Sequence, residues 1–180
     1  MNKSTNTLFI AATVCLCCLL ESVCLAGPQP PSGWRYPGEA DYKGDWKEFR
    51  KEIPEPFHVH ADFNGDGLDD DAWILISTKD SSWGLFVFLS RQGKTPEVMK
   101  LMGSTLVEPD ERLQGYGIKL VPPGKFVTAC GKGHWECGPG EPKTLELTNP
   151  AINFFHYESF EWYYYWSKTT RTFKSISISD

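Results

Sequence analysis

From residue 57 to its end, the chain is a succession of short segments with the composition of β-strands, separated by turn residues. Each segment is rich in branched or aromatic side chains, which favour strands, and Gly, Pro and Asn mark many of the connections. The expected strands are 57–61, 72–77, 84–90, 97–102, 116–121, 125–130, 143–148, 152–158, 161–166 and 172–178. Regularly spaced short strands with few helices predict a mainly β protein, built as an antiparallel sandwich or a partly open barrel.

One short N-terminal helix is expected before these strands. Trp46, Phe49 and Ile53 recur at helical spacing, and Pro54 ends the pattern. Residues 27–41 are rich in Pro and Gly and predict an irregular leader. We therefore expect residues 27–180 to form a single β-rich domain, because a chain of this length can bury one adequate core.

The connection between the first two expected strands has the residue spacing of a calcium loop. Calcium takes six to eight oxygen ligands, and Gly67 lies where such a loop turns sharply. Five Asp residues lie within positions 62–71, and their mutual repulsion favours a bound cation over a turn without an ion. The predicted Ca²⁺ ligands are Asp62, Asn64, Asp66, the Leu68 carbonyl and Asp70.

Two resemblances accompany these residues. Phe63-Asn64-Gly65-Asp66-Gly67, followed by Asp69-Asp70 and an apolar run, resembles the calcium loops of FG-GAP and VCBS-type repeats. The resemblance implies a Ca²⁺ loop that joins two strands; it occurs once, so it does not imply the multi-bladed propeller of those repeats. Cys130-Gly131-Lys132-Gly133 and Phe155-His156-Tyr157-Glu158-Ser159 resemble small exported proteins of Gram-negative bacteria and imply no activity.

The N-terminus has the organisation of a secretory signal peptide. Lys3 precedes an apolar run over 8–20, and a small-residue exit ends at Ala26. This run is too short for a transmembrane helix. We predict a signal peptide over 1–26 and a periplasmic or secreted protein that is soluble after cleavage; lipidation at Cys24 is the lesser alternative.

After this cleavage the chain retains two cysteines, Cys130 and Cys137. Two cysteines in an exported protein predict one disulfide. A zinc site that includes His134 is the lesser alternative, because a spacing of this length is unlike that of zinc knuckles.

His58 and His60 are two residues apart on the expected strand 57–61, so both side chains project from one face. Two imidazoles on one face could hold a transition metal. The sequence identifies no third ligand, and we favour two histidines that flank the calcium loop without a ligand role.

Residues 162–166 are all aromatic. On a strand, Trp162, Tyr164 and Trp166 share one face, which is either core or a platform for a sugar ring or a protein. These three residues are the candidate partner-binding site.

Composition and motifs restrict the function. The net charge is −5 without a basic stripe, which argues against nucleic-acid binding, and no nucleophile motif is present. We predict a non-catalytic, calcium-stabilised, exported protein that binds a protein or glycan, such as an immunity or inhibitor protein against a cell-wall hydrolase. The alternatives are a carbohydrate- or envelope-binding module that uses the aromatic strand, and a hydrolase with a calcium-supported site.

Overall fold

The computed structural model of the protein describes residues 27–44, 46–80, 82–104 and 113–179, so the signal peptide expected over 1–26 lies outside the described residues. The described chain forms two short α-helices, α1 (Trp46–Phe49) and α2 (Ala129–Lys132), and a 3₁₀ turn at Glu39–Asp41. Its strands are β1 (Trp34–Arg35), β2 (His58–Ala61), β3 (Asp70–Ser77), β4 (Trp83–Arg91), β5 (Lys94–Gly103), β6 (Tyr116–Val121), β7 (Gly124–Val127), β8 (Thr144–Leu147), β9 (Ala151–His156), β10 (Glu161–Ser167) and β11 (Thr172–Ser179).

The strands form two larger antiparallel sheets and one hairpin. The five-stranded sheet has the order β1-β3-β4-β5, and β2 pairs with the same edge of β3 as β1 does, further along the strand. The four-stranded sheet has the order β11-β10-β9-β6. The hairpin consists of β7 and β8. The predicted mainly β, antiparallel fold is confirmed, and the sheets do not close into a barrel.

The main core lies between the two larger sheets, as in a sandwich. Apolar side chains of β3 and β4, such as Ile74 and Leu85, pack with Ile118, Ile152 and Phe154 of the opposite sheet. The helix α1 adds Trp46 to this core, and its indole Nε1 donates a hydrogen bond of 2.6 Å to the carbonyl of Leu113. This contact gives the N-terminal helix its place in the domain.

The outer faces of both larger sheets are also covered. The β7–β8 hairpin contributes Leu145 and Leu147 to a second cluster with Tyr163 and Ile176 on the four-stranded sheet. The N-terminal segment folds across the five-stranded sheet, where Trp34 and Tyr36 pack on a third cluster composed of Leu75, Phe86 and Phe88. The expected irregular leader thus contains the strand β1 and covers apolar surface.

Two strands are shorter at their C-terminal ends than predicted by more than one residue: the segment expected over 152–158 ends at His156, and a second one differs for an identifiable reason. The segment expected over 125–130 ends at Val127, because Thr128 caps α2 by accepting a 3.1 Å hydrogen bond from the Gly131 amide. Helix α2 is a second short helix that the sequence pattern did not indicate. Within the described residues, no helix has the length and apolar character needed to cross a membrane.

Candidate metal centre

Two adjacent strands place His58, His60 and Asp71 on the outer face of the five-stranded sheet. In the antiparallel pairing of β2 with β3, His60 lies opposite Asp71 and His58 lies opposite Trp73. Residues two apart on a strand share a face, and directly opposite residues have neighbouring side chains. The pairing register therefore brings both imidazoles to the same carboxylate.

The three groups contact one another closely. His58 Nε2 lies 2.7 Å and His60 Nδ1 lies 3.2 Å from Asp71 Oδ1. One potential ligand atom from each residue lies within 4.8 Å of the others. Among the His, Cys, Asp and Glu side chains in the described part of the chain, this is the one group of three or more with that geometry. It is a candidate metal centre, which we call the His–His–Asp cluster.

The surroundings of Asp71 favour its charged form. Partial burial opposes ionisation, but hydrogen bonds and favourable charge interactions with His58 and His60 outweigh it and lower the pKa of Asp71 below its ordinary value. An ionised carboxylate is the form that binds a metal ion. The Asp71 and His58 side chains are 22% and 24% exposed, while His60 is 52% exposed, so the cluster is reachable from solvent.

Aromatic packing holds one imidazole in place. The His58 ring stacks on Trp73 with centroids 3.9 Å apart and an interplanar angle of 16°. On its other side Trp73 contacts Tyr36, whose ring centroid lies 4.4 Å away. Burial and the nearby Asp71 carboxylate raise the pKa of Tyr36 to about 12, so its hydroxyl stays protonated and able to donate.

The cluster opens into a cavity of about 740 Å³ on the protein surface. Its lining consists of Gly27, Pro28, Pro37, Tyr42, Glu55, Phe57, His58, His60, Asp71 and Trp73. Two imidazoles and a carboxylate suit Zn²⁺, and imidazole also binds Cu²⁺, Ni²⁺ and Fe²⁺. With three ligands from the protein, a metal ion would keep at least one position for a further ligand from the cavity.

The sequence pattern identifies His58 and His60 but favours no ligand role for them, and it does not identify Asp71 as a third ligand. Asp71 stands next to the calcium motif, so the sequence pattern associates it with the loop carboxylates rather than with the histidines. A hairpin register that pairs His60 with Asp71 was the missing information. This register can be examined in the sequence by writing residues 57–61 antiparallel to residues 70–74, with the loop between them.

The expected calcium ligands form the tight loop between β2 and β3. Asp62 accepts hydrogen bonds from the amides of Gly65, Asp66 and Gly67 at 2.7–3.1 Å. Asn64 Oδ1 accepts from the Asp66 amide, and Asp66 Oδ1 accepts from the Leu68 amide. The loop carboxylates are not among the groups of three with ligand atoms within 4.8 Å, and Ca²⁺ coordination stays a prediction.

Asp70 differs from the other loop carboxylates because it is fully buried. Its two oxygens accept hydrogen bonds from the amides of Phe63 at 3.1 Å and Ser90 at 2.8 Å. Burial, opposed by these bonds and reinforced by the charges of Asp66 and Asp62, raises its pKa to about 6. Asp70 thus ties the loop to the neighbouring strand β4.

The two cysteines lie where the sequence predicted a crosslink. Cys130 and Cys137 form a disulfide with Cα atoms 5.0 Å apart, so the predicted pairing is confirmed. The bridge closes the segment that follows α2 and holds Trp135, which is 38% exposed. It leaves no pair of thiolates for the alternative zinc site.

The three aromatic residues predicted to bind a partner have different environments. Tyr164 and Trp166 pack partly buried against the main core, and the Trp166 ring centroid lies 5.4 Å from that of Phe173. Trp162 is 39% exposed and lines a groove of about 580 Å³ with Trp135 and Tyr165. Trp162 is the member of the predicted set that is most available to a ligand.

The fold and the cluster define an antiparallel β-sandwich protein with a candidate metal centre on one outer sheet face. Comparison with family models, curated proteins and solved structures finds no match to this chain. The FG-GAP and VCBS-type resemblance of the loop therefore stays a prediction.

Proposed function

We propose that this protein is an exported metal-binding protein that holds a divalent transition-metal ion in the His–His–Asp cluster. The observation that carries the proposal is that potential ligand atoms of His58, His60 and Asp71 lie within 4.8 Å of one another and that these residues line a surface cavity. Imidazole and carboxylate are a ligand combination used in many protein zinc sites.

The arrangement is suited to binding because its parts are positioned before an ion arrives. All three ligands lie on paired strands, and His58 is further restrained by stacking on Trp73. Strand-borne ligands lose little conformational freedom on coordination, which favours affinity. Positions left open on the metal would face the cavity and could accept a small ligand or a side chain of a partner protein.

We attribute binding and no reaction to this site, in line with the absence of a nucleophile motif in the sequence. Export follows from the signal peptide expected over 1–26. An inhibitor of a cell-wall hydrolase would be one form of such a protein, and that role stays a prediction.

Metal binding is tested by titrating the mature chain with Zn²⁺, Cu²⁺ and Ni²⁺ in a calorimeter and by counting bound ions with mass spectrometry. We expect one transition-metal ion per chain, with affinity reduced at least about tenfold in H58A, H60A and D71N. H134A is the matched control, because His134 is exposed and lies outside the cluster. Binding that survives all three substitutions unchanged, or no binding at all, would contradict the proposal.

A second candidate function is glycan binding at the groove near the disulfide. Trp135 from the disulfide-closed segment and Trp162 from β10 are both exposed and line this groove, which also includes Glu141 and Lys174. Flat aromatic rings beside charged groups can stack on a sugar and bond its hydroxyls. We expect W135A and W162A to lose retention on immobilised cell-wall glycan, whereas V98A, at an exposed apolar site on the other sheet, keeps it. Equal retention of all variants would count against this role.

A further inference from the structure

The N-terminal segment lines the cavity of the candidate metal centre. Gly27 and Pro28 line the same cavity as His58, His60 and Asp71. Gly27 is also the residue that follows the expected cleavage site after Ala26. The first residue of the expected mature chain thus lines the cavity that the His–His–Asp cluster also lines.

Specific contacts hold this segment against Tyr36 and Trp73, the aromatic residues next to the cluster. The Tyr36 hydroxyl donates a hydrogen bond to the carbonyl of Pro28. A β-carbon built on Gly27 would lie 3.1 Å from Tyr36 Oη and 3.6 Å from Trp73 Cζ2. Gly27 therefore rests on the aromatic pair that supports His58, because Trp73 stacks on that imidazole.

We propose that cleavage between Ala26 and Gly27 creates a fourth ligand for the metal centre, the α-amino group of Gly27. The inference rests on the proposed metal-binding function and on the expected signal cleavage. It assigns the cavity-lining N-terminus to the coordination position that the His–His–Asp cluster leaves open.

The chemistry of the cleaved bond explains why processing matters. In the precursor the Gly27 nitrogen belongs to an amide, whose lone pair is delocalised into the carbonyl, so that in its neutral form it is a much poorer metal ligand than an amine. Signal peptidase hydrolyses this bond with one water molecule, which yields the Ala26 carboxylate and the Gly27 amine. The amine binds in its neutral form, so coordination releases its extra proton to solvent.

This arrangement would couple export to metal loading. The precursor offers two imidazoles and one carboxylate, whereas the mature chain offers a third nitrogen ligand in addition. The unprocessed chain would therefore compete weakly for metal before export, and full affinity would arise once the signal peptide is removed.

The test compares three forms of the mature protein, prepared with an unmodified Gly27, with N-acetylated Gly27, and with Ala26 retained as one extra residue. Cu²⁺ affinity is measured by competition with a chelator, and the number of coordinated nitrogens is read from electron paramagnetic resonance. We expect the unmodified form to bind at least about tenfold more tightly than the other two and to show one additional nitrogen. The H58A variant of the unmodified form reports separately on the cluster itself.

Each outcome separates this inference from the proposed function. Equal affinity and equal nitrogen counts in the three forms, together with weaker binding by H58A, would overturn the role of Gly27 and leave the metal centre intact. No Cu²⁺ binding by the unmodified form would overturn both. N-terminal sequencing of the exported protein is the second check, and a mature chain that starts elsewhere than Gly27 would also overturn the inference.

Discussion

Asp71 is the residue on which the candidate metal centre depends, because both imidazoles contact the same carboxylate oxygen, Oδ1. His60 Nε2 has a second acidic neighbour, Asp69 Oδ2, at 3.5 Å. Asp69 is 65% exposed, so this longer contact contributes little. At the residue scale, the site is thus centred on one partly buried carboxylate rather than on the acidic loop beside it.

Gly131 occupies a position at which a β-carbon does not fit without a shift of the backbone. A β-carbon there would lie 2.1 Å from the carbonyl oxygen of Lys143, which also accepts a 3.1 Å bond from the Thr128 amide. We expect G131A to displace α2 from the β7–β8 hairpin and to lower the free energy of unfolding by about 1–3 kcal/mol or more. Urea unfolding measures the effect. G138A is the control, because the nearest atom to its β-carbon is 3.6 Å away, and equal stability of the two variants would refute the explanation.

Trp162 and Trp166 provide a paired test of the aromatic strand. Trp166 packs against the main core beside Phe173, whereas Trp162 is 39% exposed. We expect W166A to cost about 2–4 kcal/mol of stability, since fully buried Phe or Trp costs about 3–5 on truncation. W162A should stay within about 1 kcal/mol of the parent. Thermal and urea melts of both variants measure the difference, and the reverse order would show that the core covers the Trp162 end of β10 rather than the Trp166 end.

At the scale of elements, the β2–β3 hairpin carries both the expected calcium loop and the His–His–Asp cluster. Phe63 ties the loop to the rest of the domain. Its side chain is buried, and its backbone carbonyl accepts a 3.2 Å hydrogen bond from the Asn149 side-chain amide. Gly65 takes a positive φ of 75°, and a β-carbon there would lie 2.6 Å from the Asn149 amide nitrogen. Order in the loop is therefore connected to the strands that carry the His–His–Asp cluster.

Calcium should stabilise this hairpin. A ligand that binds the native state alone raises the free energy of unfolding by about 2.7 kcal/mol at ~100-fold excess over its Kd. Melting curves with Ca²⁺ and with a chelator measure the shift. D66N is the informative variant, because its remaining Oδ1 can still accept the 2.9 Å bond from the Leu68 amide while one ligand charge is lost. We expect D66N to reduce the calcium response, and superimposable curves for the parent protein would exclude the ion.

At the scale of the whole molecule, the N-terminal segment completes the domain. Leu75, Phe86 and Phe88 are 0–4% exposed although they lie on the outer face of the five-stranded sheet. Trp34 covers Phe86 with ring centroids 4.7 Å apart, and the Lys100 Nζ lies 4.6 Å from the centroid of the Trp34 ring. The segment thus protects apolar surface and also lines the cavity beside the His–His–Asp cluster.

Removing this segment should destabilise the protein. A chain that starts at residue 37 lacks Trp34 and Tyr36, and burial of a large apolar side chain contributes about 1.5–3 kcal/mol. We expect a loss of about 3 kcal/mol or more and increased binding of a hydrophobic dye. A chain that starts at residue 31 keeps both aromatic residues and should retain nearly the stability of the mature protein. Equal stability of the two truncated chains would show that the segment does not support the sheet.

The sequence by itself determined the approximate positions of most strands, because alternation and turn residues act over a few neighbouring positions. It also determined the disulfide, because two cysteines in the expected mature chain have one intramolecular pairing. The expected ligands of the calcium loop were identified by spacing alone for the same local reason.

The tertiary structure decided which of these elements meet. His58 and His60 were visible in sequence, but the register of β2 on β3 brought Asp71 to them. The exposed Trp162 and the covered Trp166 have the same strand periodicity, and they differ because Trp166 packs against the main core whereas Trp162 lines an open groove. Gly27 lines the same cavity as the cluster, next to Tyr36 and Trp73, which contact each other although they are far apart in the chain. Such contacts depend on sheet pairing and packing between distant segments, which a local residue pattern does not specify.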